Sequence, residues 1–136
     1  MALALAGNPF GFKKGDVIQE FGYDDDVDFA LREELSQLVA TELEDEEYRG
    51  IADGVLAWWR SDDGGVDDLS DYLMDCAQSF ADGSGVIWLM VPESHSEFAV
   101  SATDVNEAAE TAGQSVTTSK HLSDSWTAFR VTARGR

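Results

Sequence analysis

The stretch at residues 85–92, Gly-Val-Ile-Trp-Leu-Met-Val-Pro, decides the fold class. Its six consecutive apolar residues stand between a glycine and a proline, without the alternation typical of a strand that has one face in water. Six residues between two helix breakers are too few for a helix. We therefore predict a strand buried on both faces, and such a strand requires an α/β sheet with helices above and below it.

Apolar periodicity on either side of this strand predicts an alternation of strands and helices. Further strands are predicted at 17–21, 55–59, 115–120 and 126–132, and helices at 27–38, 66–81 and 105–112. The stretch 41–47 is compatible with a short exposed edge strand, followed by a turn of helix at 46–52.

Capping residues mark the ends of the predicted helices. One of Asp24, Asp25 and Asp26 is expected to cap the first helix, and the sequence 101–104 matches a capping box before the third. The pair Asp82-Gly83 is expected to end the second helix.

The order of these elements predicts the architecture. Repeated strand-then-helix units require parallel pairing with right-handed crossovers, whereas the short connection between the last two strands favours an antiparallel pair. We predict a three-layer α/β fold with a mostly parallel sheet and a C-terminal antiparallel hairpin. The 136 residues are enough for one domain, placed at 13–136 after a flexible N-terminal arm at 1–12.

The strongest compositional feature is negative charge. The chain has 27 acidic and 9 basic residues, a formal net charge of −18. Such a field repels nucleic-acid phosphates and anionic membrane surfaces, so neither is expected as a partner. A cationic protein or divalent cations would be attracted, although solubility alone also accounts for such a charge. No pattern predicts an oligomeric state.

Cysteine usage and hydropathy indicate the compartment. Cys76 is the single cysteine, so no internal disulfide can form, which suits a reducing cytosol. The apolar residues 1–7 lack a basic segment and are too short for an export signal, and no segment has the length of a membrane span. We expect a soluble cytoplasmic protein.

The first predicted strand resembles the opening motif of class I methyltransferases, which have a Rossmann-like sheet with a terminal antiparallel hairpin. Like that motif, residues 14–22 begin near a glycine and end with an acid and Gly22. Where the family has further glycines, this chain has Tyr23, Asp24, Asp25 and Asp26. Side chains there would occupy the space that glycines leave for a ligand, and the carboxylates would repel the carboxylate end of S-adenosylmethionine.

A second resemblance extends from residue 12 to residue 132. The strings Gly-Tyr-Asp-Asp-Asp-Val-Asp at 22–28, Trp-Trp-Arg at 58–60 and Gly-Val-Ile-Trp-Leu at 85–89 look like those of a family of small acidic actinobacterial proteins, domain of unknown function 3052. The resemblance implies an actinobacterial cytosolic protein with a methyltransferase-like sheet, and it implies no established activity.

Candidate ligand-binding residues follow the strands, because ligands of open α/β sheets bind beyond the carboxyl ends of the strands. By this rule the candidates are Glu20, Gly22, Tyr23, Asp24, Arg60, Glu93 and His95. His95 is a possible general base, but a lone histidine in a serine-rich loop is more often only solvated.

The aspartates at 24–28, the cysteine and the tryptophans each have a structural explanation that competes with a functional one. Asp24, Asp26 and Asp28 do not match an EF-hand loop, and capping with solvation explains these acids without a metal. Cys76 falls on an apolar helix face, which favours burial over reactivity. We predict no catalytic residue, metal or cofactor. The four tryptophans are expected in the core, with an exposed one instead marking a protein-binding patch.

Two functions remain as hypotheses. We favour a non-catalytic binding or interaction module on a degenerate methyltransferase-like scaffold. The alternative is an enzyme or sensor that binds an adenosine-like ligand, such as S-adenosylmethionine, at the strand ends, with Arg60 or His95 making polar contacts.

Overall fold

Five strands form one sheet in the order β1-β2-β3-β5-β4 in the computed structural model, which describes residues 8–81 and 85–133. The strands are β1 (Ile18–Phe21), β2 (Gly54–Trp58), β3 (Val86–Pro92), β4 (Gln114–Lys120) and β5 (Trp126–Ala133). The helices are α1 (Phe29–Val39), α2 (Val66–Ala77) and α3 (Ala102–Thr111). The predicted order of strands and helices is confirmed.

The sheet is mixed, so the prediction of a mostly parallel sheet is wrong. The pairs β1–β2 and β2–β3 are parallel, whereas β3–β5 and β4–β5 are antiparallel. The C-terminal hairpin was predicted correctly, but its second strand lies between β3 and β4. Because β5 is antiparallel to both of its neighbours, the hairpin brings two antiparallel pairs into the sheet, β3–β5 and β4–β5.

The strand β3 is buried on both faces, as its apolar run predicts. All of its residues after Val86 are buried. Its neighbours are β2 on one side and β5 on the other, so its backbone groups pair along both edges. This strand is the centre of the sheet.

Alternate residues of the central strands belong to two core clusters on opposite faces. One cluster joins β2 and β3 to α2 and α3, and the other joins them to α1 and to Phe10 and Phe12. Trp58 lies in the α1 cluster and its neighbour Trp59 in the α2–α3 cluster, because successive strand residues face opposite ways. All four tryptophans are at most 7% exposed. The alternative of an exposed tryptophan patch is therefore wrong.

The outer edge of β1 is covered by the segment 41–50. Glu44 makes an isolated parallel bridge with Gln19, through hydrogen bonds from Glu20 N to Glu44 O (2.7 Å) and from Glu44 N to Ile18 O (2.8 Å). The expected edge strand is thus reduced to one bridge, and 46–52 contains no helix. After β1 and α1 the chain passes Glu44 on one side of β1, and it then forms β2 on the other side. The order of the strands in the sheet therefore reverses at β1.

The helix ends differ from the predictions in two places. Asp28 caps α1 by accepting a hydrogen bond from Leu31 N at 3.0 Å, so the cap is not one of the three preceding aspartates. The helix α2 ends at Ala77 rather than 81, and the expected Asp82-Gly83 stop lies outside the described residues. Ser101 caps α3 as predicted, accepting from Asp104 N at 3.1 Å.

The end of the predicted N-terminal arm packs into the core instead of extending freely. Phe10 and Phe12 are almost fully buried, and the Phe10 carbonyl accepts a hydrogen bond from Trp88 Nε1 at 3.0 Å. The division into an arm and a domain stays a prediction for residues 1–7, which lie outside the described residues. Within the described part of the chain, no helix has the length and apolar character needed to cross a membrane.

Candidate functional site

The candidate site lies where β1 and β2 end side by side. In open α/β sheets a ligand crevice forms beyond the carboxyl ends of the strands, at the point where the strand order reverses. Here the order reverses at β1, which has Glu44 on one side and β2 on the other. The residues that follow β1 and β2 are therefore expected to line the crevice.

Gly22, directly after β1, is pressed against the protein itself. Its φ is +76°, and a Cβ there would lie 2.2 Å from the Trp58 carbonyl oxygen and 2.6 Å from Tyr72 Oη. Tyr72 Oη donates a hydrogen bond to the same carbonyl at 3.0 Å. The glycine was expected to make room for a ligand, but the group that approaches it is the end of β2.

Arg60 fills the space between the two strand ends. Its guanidinium donates to both carboxylate oxygens of Asp26, through Nε at 3.0 Å and through Nη2, and Nη1 donates to the Gly22 carbonyl at 2.8 Å. The guanidinium also lies 5.3 Å from the ring centroid of Trp126. Arg60 is only 8% exposed. Its donors are directed at the protein's own acceptors and not toward a crevice.

Glu20 is a buried carboxylate with a complete set of partners. It accepts from Arg32 Nε and Nη2 at 2.7 Å each, and from the buried indole Nε1 of Trp58 at 2.8 Å. A bidentate arginine pair with a further donor satisfies a buried carboxylate. Glu20 therefore ties β1 to α1 and β2, which is a structural role at the position proposed for ligand binding.

The side chains of Tyr23 and Asp24 are both exposed. The Tyr23 ring is 49% exposed, stands edge-on to Phe29 with centroids 6.0 Å apart, and has the Arg32 guanidinium 4.7 Å from its centroid. Asp24 accepts a hydrogen bond from the backbone of Asp25 at 2.7 Å. Arg60, and not Tyr23 or Asp24, hydrogen-bonds across the strand ends, so obstruction of the crevice by Tyr23 and Asp24 stays a prediction.

Glu93 and His95 form a separate loop after β3. The Glu93 side chain accepts from the backbone N–H of His95 at 2.8 Å, and the backbone N–H of Glu93 donates to the Ser125 carbonyl at 2.9 Å. Among the described residues, neither hydrogen-bonds to Gly22 or Arg60. The seven candidates are thus divided. Glu20, Gly22, Tyr23 and Arg60 are linked at the β1–β2 end, Asp24 accepts from its neighbour Asp25, and Glu93 and His95 lie elsewhere.

The acidic run beside Gly22 has structural partners. Asp26 pairs with Arg60, and Asp28 caps α1 and accepts from Ser123 Oγ at 2.6 Å. No group of three or more metal-ligating side chains occurs in the part of the chain that the structure describes. Cys76 is fully buried, and burial raises the pKa of its thiol well above the ordinary value, which disfavours the reactive thiolate.

Sequence reasoning missed the partners that close the site. Arg32, Trp58, Trp126 and Tyr72 contact the candidates, and the carboxylate of Glu46 accepts from Gly22 N at 2.7 Å. The one available signal was charge. Arg32 and Arg60 are two of only three cations between residues 16 and 82, where the carboxylates are dense.

The Asp26–Arg60 pair predicts a pH-dependent stability. The Arg60 guanidinium lowers the pKa of Asp26 from its ordinary value of 3.8. A lowered pKa contributes stability that is complete above pH 3.8 and is lost as the pH falls through the folded value. Because Asp26 is half exposed, we expect Asp26→Asn to cost only about 1 kcal/mol at neutral pH.

Urea unfolding of the wild type and Asp26→Asn over a pH series measures this contribution. The difference in free energy of unfolding should stay constant at neutral pH and shrink once the pH falls below about 4. Asp25→Asn is the control, since the described residues include no ion pair to Asp25. A difference that does not change with pH would contradict the assignment of the ion pair.

Solved structures of methyltransferases have the same fold. The chain is similar to CalO1, a methyltransferase in calicheamicin biosynthesis, with a TM-score of 0.64 and 14% identity over 97% of this chain and 52% of that one. It is also similar to magnesium protoporphyrin IX methyltransferase from Synechocystis, with a TM-score of 0.55 and 10% identity over 88% of this chain and 71% of that one. At these identities the likeness shows the fold alone.

Sequence relatives come from mycobacteria. The chain is 38% identical over 121 residues to Uncharacterized protein Rv2239c of Mycobacterium tuberculosis and to Uncharacterized protein Mb2263c of Mycobacterium bovis, covering 89% of this chain and 73% of each relative. A family described as "Protein of unknown function (DUF3052)" matches residues 7–135. The resemblance drawn from the short strings at 22–28, 58–60 and 85–89 is thereby confirmed, and the chain belongs to this family of proteins of unknown function.

Proposed function

We propose that this protein is a non-catalytic binding module, built on a three-layer methyltransferase-like scaffold whose cofactor crevice is closed by its own side chains. It acts in the cytoplasm, and its partner is a cationic protein. The net charge of −18 supports such a partner, because a strongly negative surface steers cationic molecules toward it and repels anionic ones.

The observation that carries the proposal is the position of Arg60. Its guanidinium joins the end of β1 to Asp26 and is nearly buried, at the reversal of strand order where a ligand of this fold would bind. A ligand entering there would have to separate a bidentate ion pair and leave the Gly22 carbonyl without its donor. Losing the hydrogen bond from the charged guanidinium to the Gly22 carbonyl costs about 1.5–3 kcal/mol, and any cofactor would first have to recover that loss.

Gly22 supports the same conclusion from the other side of the crevice. In nucleotide-binding turns, a glycine lets the backbone approach the ligand closely. Here the space over Gly22 is taken by the Trp58 carbonyl and Tyr72 Oη. The conformational freedom of the glycine is thus used for packing β1 against β2.

Titration calorimetry and thermal unfolding with S-adenosylmethionine and S-adenosylhomocysteine test the proposal. We expect no heat of binding, and a change in melting temperature below about 1 °C at millimolar ligand, because only a ligand that binds the folded state raises the melting temperature.

The alternative function gives the opposite result. An enzyme or sensor for an adenosine-like ligand, with polar contacts from Arg60 or His95, would be stabilised by several degrees. That stabilisation would disappear in Arg60→Met or in His95→Ala. Glu97→Ala, on the same exposed loop as His95, is the matched control. A stabilisation with this pattern would refute the closed crevice and establish the alternative.

A further inference from the structure

Two adjoining hollows form a groove along α1. One, of about 400 Å³, is lined by Glu20, Tyr23 and the segment 45–47, and the other, of about 260 Å³, by Glu33, Ser36 and Glu42. Arg32 and Leu43 line both hollows. The groove therefore runs between α1 and the segment 42–47, and we call it the α1 groove.

One end of the α1 groove carries exposed aromatic rings. Tyr23 is 49% and Phe29 50% exposed, and the two rings pack edge to face. Most other aromatic side chains of the described residues are buried in the two core clusters. Half-exposed rings that pack on each other outside the core form an apolar surface of the kind found at protein-binding sites.

The walls of the α1 groove carry negative charge that the protein does not neutralise. Its exposed carboxylates are Glu33, Glu42, Asp45, Glu46 and Glu47. No ion pair among the described residues reaches any of these five side chains. Arg32 is the cation lining the groove, and its charge is already balanced by Glu20.

We propose that the α1 groove is the docking site for a basic segment of another protein, with lysine or arginine side chains beside the groove carboxylates and an apolar side chain against Tyr23 and Phe29. This inference rests on the proposed function, since it assigns a surface to the interaction module. Charge complementarity selects the occupant. Nucleic acids and anionic membranes are repelled, and a second copy of this chain has the same charge of −18.

The unpaired carboxylates of the α1 groove should destabilise the unbound protein. Unpaired like charges along one groove repel one another, so removing some of them should raise the melting temperature while it weakens binding. Sites retained for function commonly show this exchange of stability for activity. The groove variant is Glu33→Gln/Glu42→Gln/Glu47→Gln. Its charge-matched control removes three carboxylates at exposed positions of α2 and α3, Asp71→Asn/Glu107→Gln/Glu110→Gln.

Fluorescence anisotropy with labelled synthetic peptides measures the binding. The probe is a short peptide of alternating arginine and leucine at physiological salt, compared with one of alternating arginine and glycine. The groove variant should weaken binding of the arginine–leucine peptide by about tenfold, and the charge-matched control by less than about threefold. The variant Tyr23→Ser/Phe29→Ser should weaken binding of the arginine–leucine peptide by about fivefold or more. Its affinity for the arginine–glycine peptide should be nearly unchanged.

Several results would overturn the docking site. Equal weakening by the groove variant and its charge-matched control would mean that the overall field attracts the peptide and no groove binds it. Equal affinity for the two peptides, or no binding of either at millimolar concentration, would also refute it. Self-association of the protein alone in sedimentation would identify a second copy as the occupant. Failure of the proposed function is separate, because it would appear as stabilisation by S-adenosylmethionine.

Discussion

Gly22→Ala is expected to destabilise the protein by about 4 kcal/mol or more, or to prevent folding altogether. The new Cβ would lie 2.2 Å from the Trp58 carbonyl oxygen, a distance that requires the backbone to move. That carbonyl cannot move freely, since Trp58 pairs with β3 and its oxygen accepts from Tyr72 Oη. Urea unfolding monitored by circular dichroism measures the loss.

Gly113→Ala separates the two costs of this substitution. Gly113 has almost the same backbone angle, with φ +78°, but no atom lies within 4 Å of where its Cβ would stand. Gly113→Ala should therefore lower the free energy of unfolding by only about 1 kcal/mol, which is the cost of an alanine in the left-handed backbone region. The stability that Gly22→Ala loses beyond the loss in Gly113→Ala then measures the close contact between β1 and β2. Equal losses in the two variants would show that the contact at Gly22 relaxes freely.

Glu20→Ala is expected to cost about 3–4 kcal/mol, because it removes one partner of a buried charged network. The Trp58 indole N–H, on a fully buried side chain, would lose its acceptor, and the Arg32 guanidinium would lose its carboxylate. Glu20→Gln keeps an acceptor oxygen but no charge, so its free energy of unfolding should lie between those of the alanine variant and the wild type. Chemical unfolding of the variants gives the three free energies.

Glu34→Ala is the control for this network. Glu34 is a partly exposed glutamate on α1, and its side chain makes no hydrogen bond among the described residues, so its loss should change stability by less than about 0.5 kcal/mol. The double variant Glu20→Gln/Arg32→Met tests whether the pair acts as a unit, in which case its cost is smaller than the sum of the single changes. Strict additivity would mean that Glu20 and Arg32 contribute independently.

The contacts at the ends of β1 and β2 are made by this chain's own residues, and they are the basis of the function proposed above. The methyltransferase fold is shared, but fold likeness does not transfer a function, which depends on the residues at the site. At the reversal of strand order, Arg60, Asp26 and Gly22 hold the ends of β1 and β2 together. The accessible surface of this region lies beside it, in the α1 groove.

Local patterns predicted the elements that are defined by neighbours in the sequence. The apolar run of β3, the apolar stripe of α2 and the hairpin of β4 and β5 follow from periodicity and breakers over a few residues. The wrong cap of α1 shows the limit of such patterns. The sequence pattern favoured one of the three aspartates at 24–26, but the cap is Asp28, which also accepts from Ser123, 95 residues later in the chain.

The sequence by itself determined the α/β class, the order of strands and helices, and the acidic surface, because these depend on composition and on spacing over a few residues. Only the tertiary structure decided that β5 lies between β3 and β4, and that the space beyond β1 is filled. Asp26 and Arg60 are 34 residues apart, and Glu20 and Trp58 are 38 apart. Such pairs meet only after the parallel register of β1 and β2 has aligned Phe21 with Ala57, and no local pattern encodes that register.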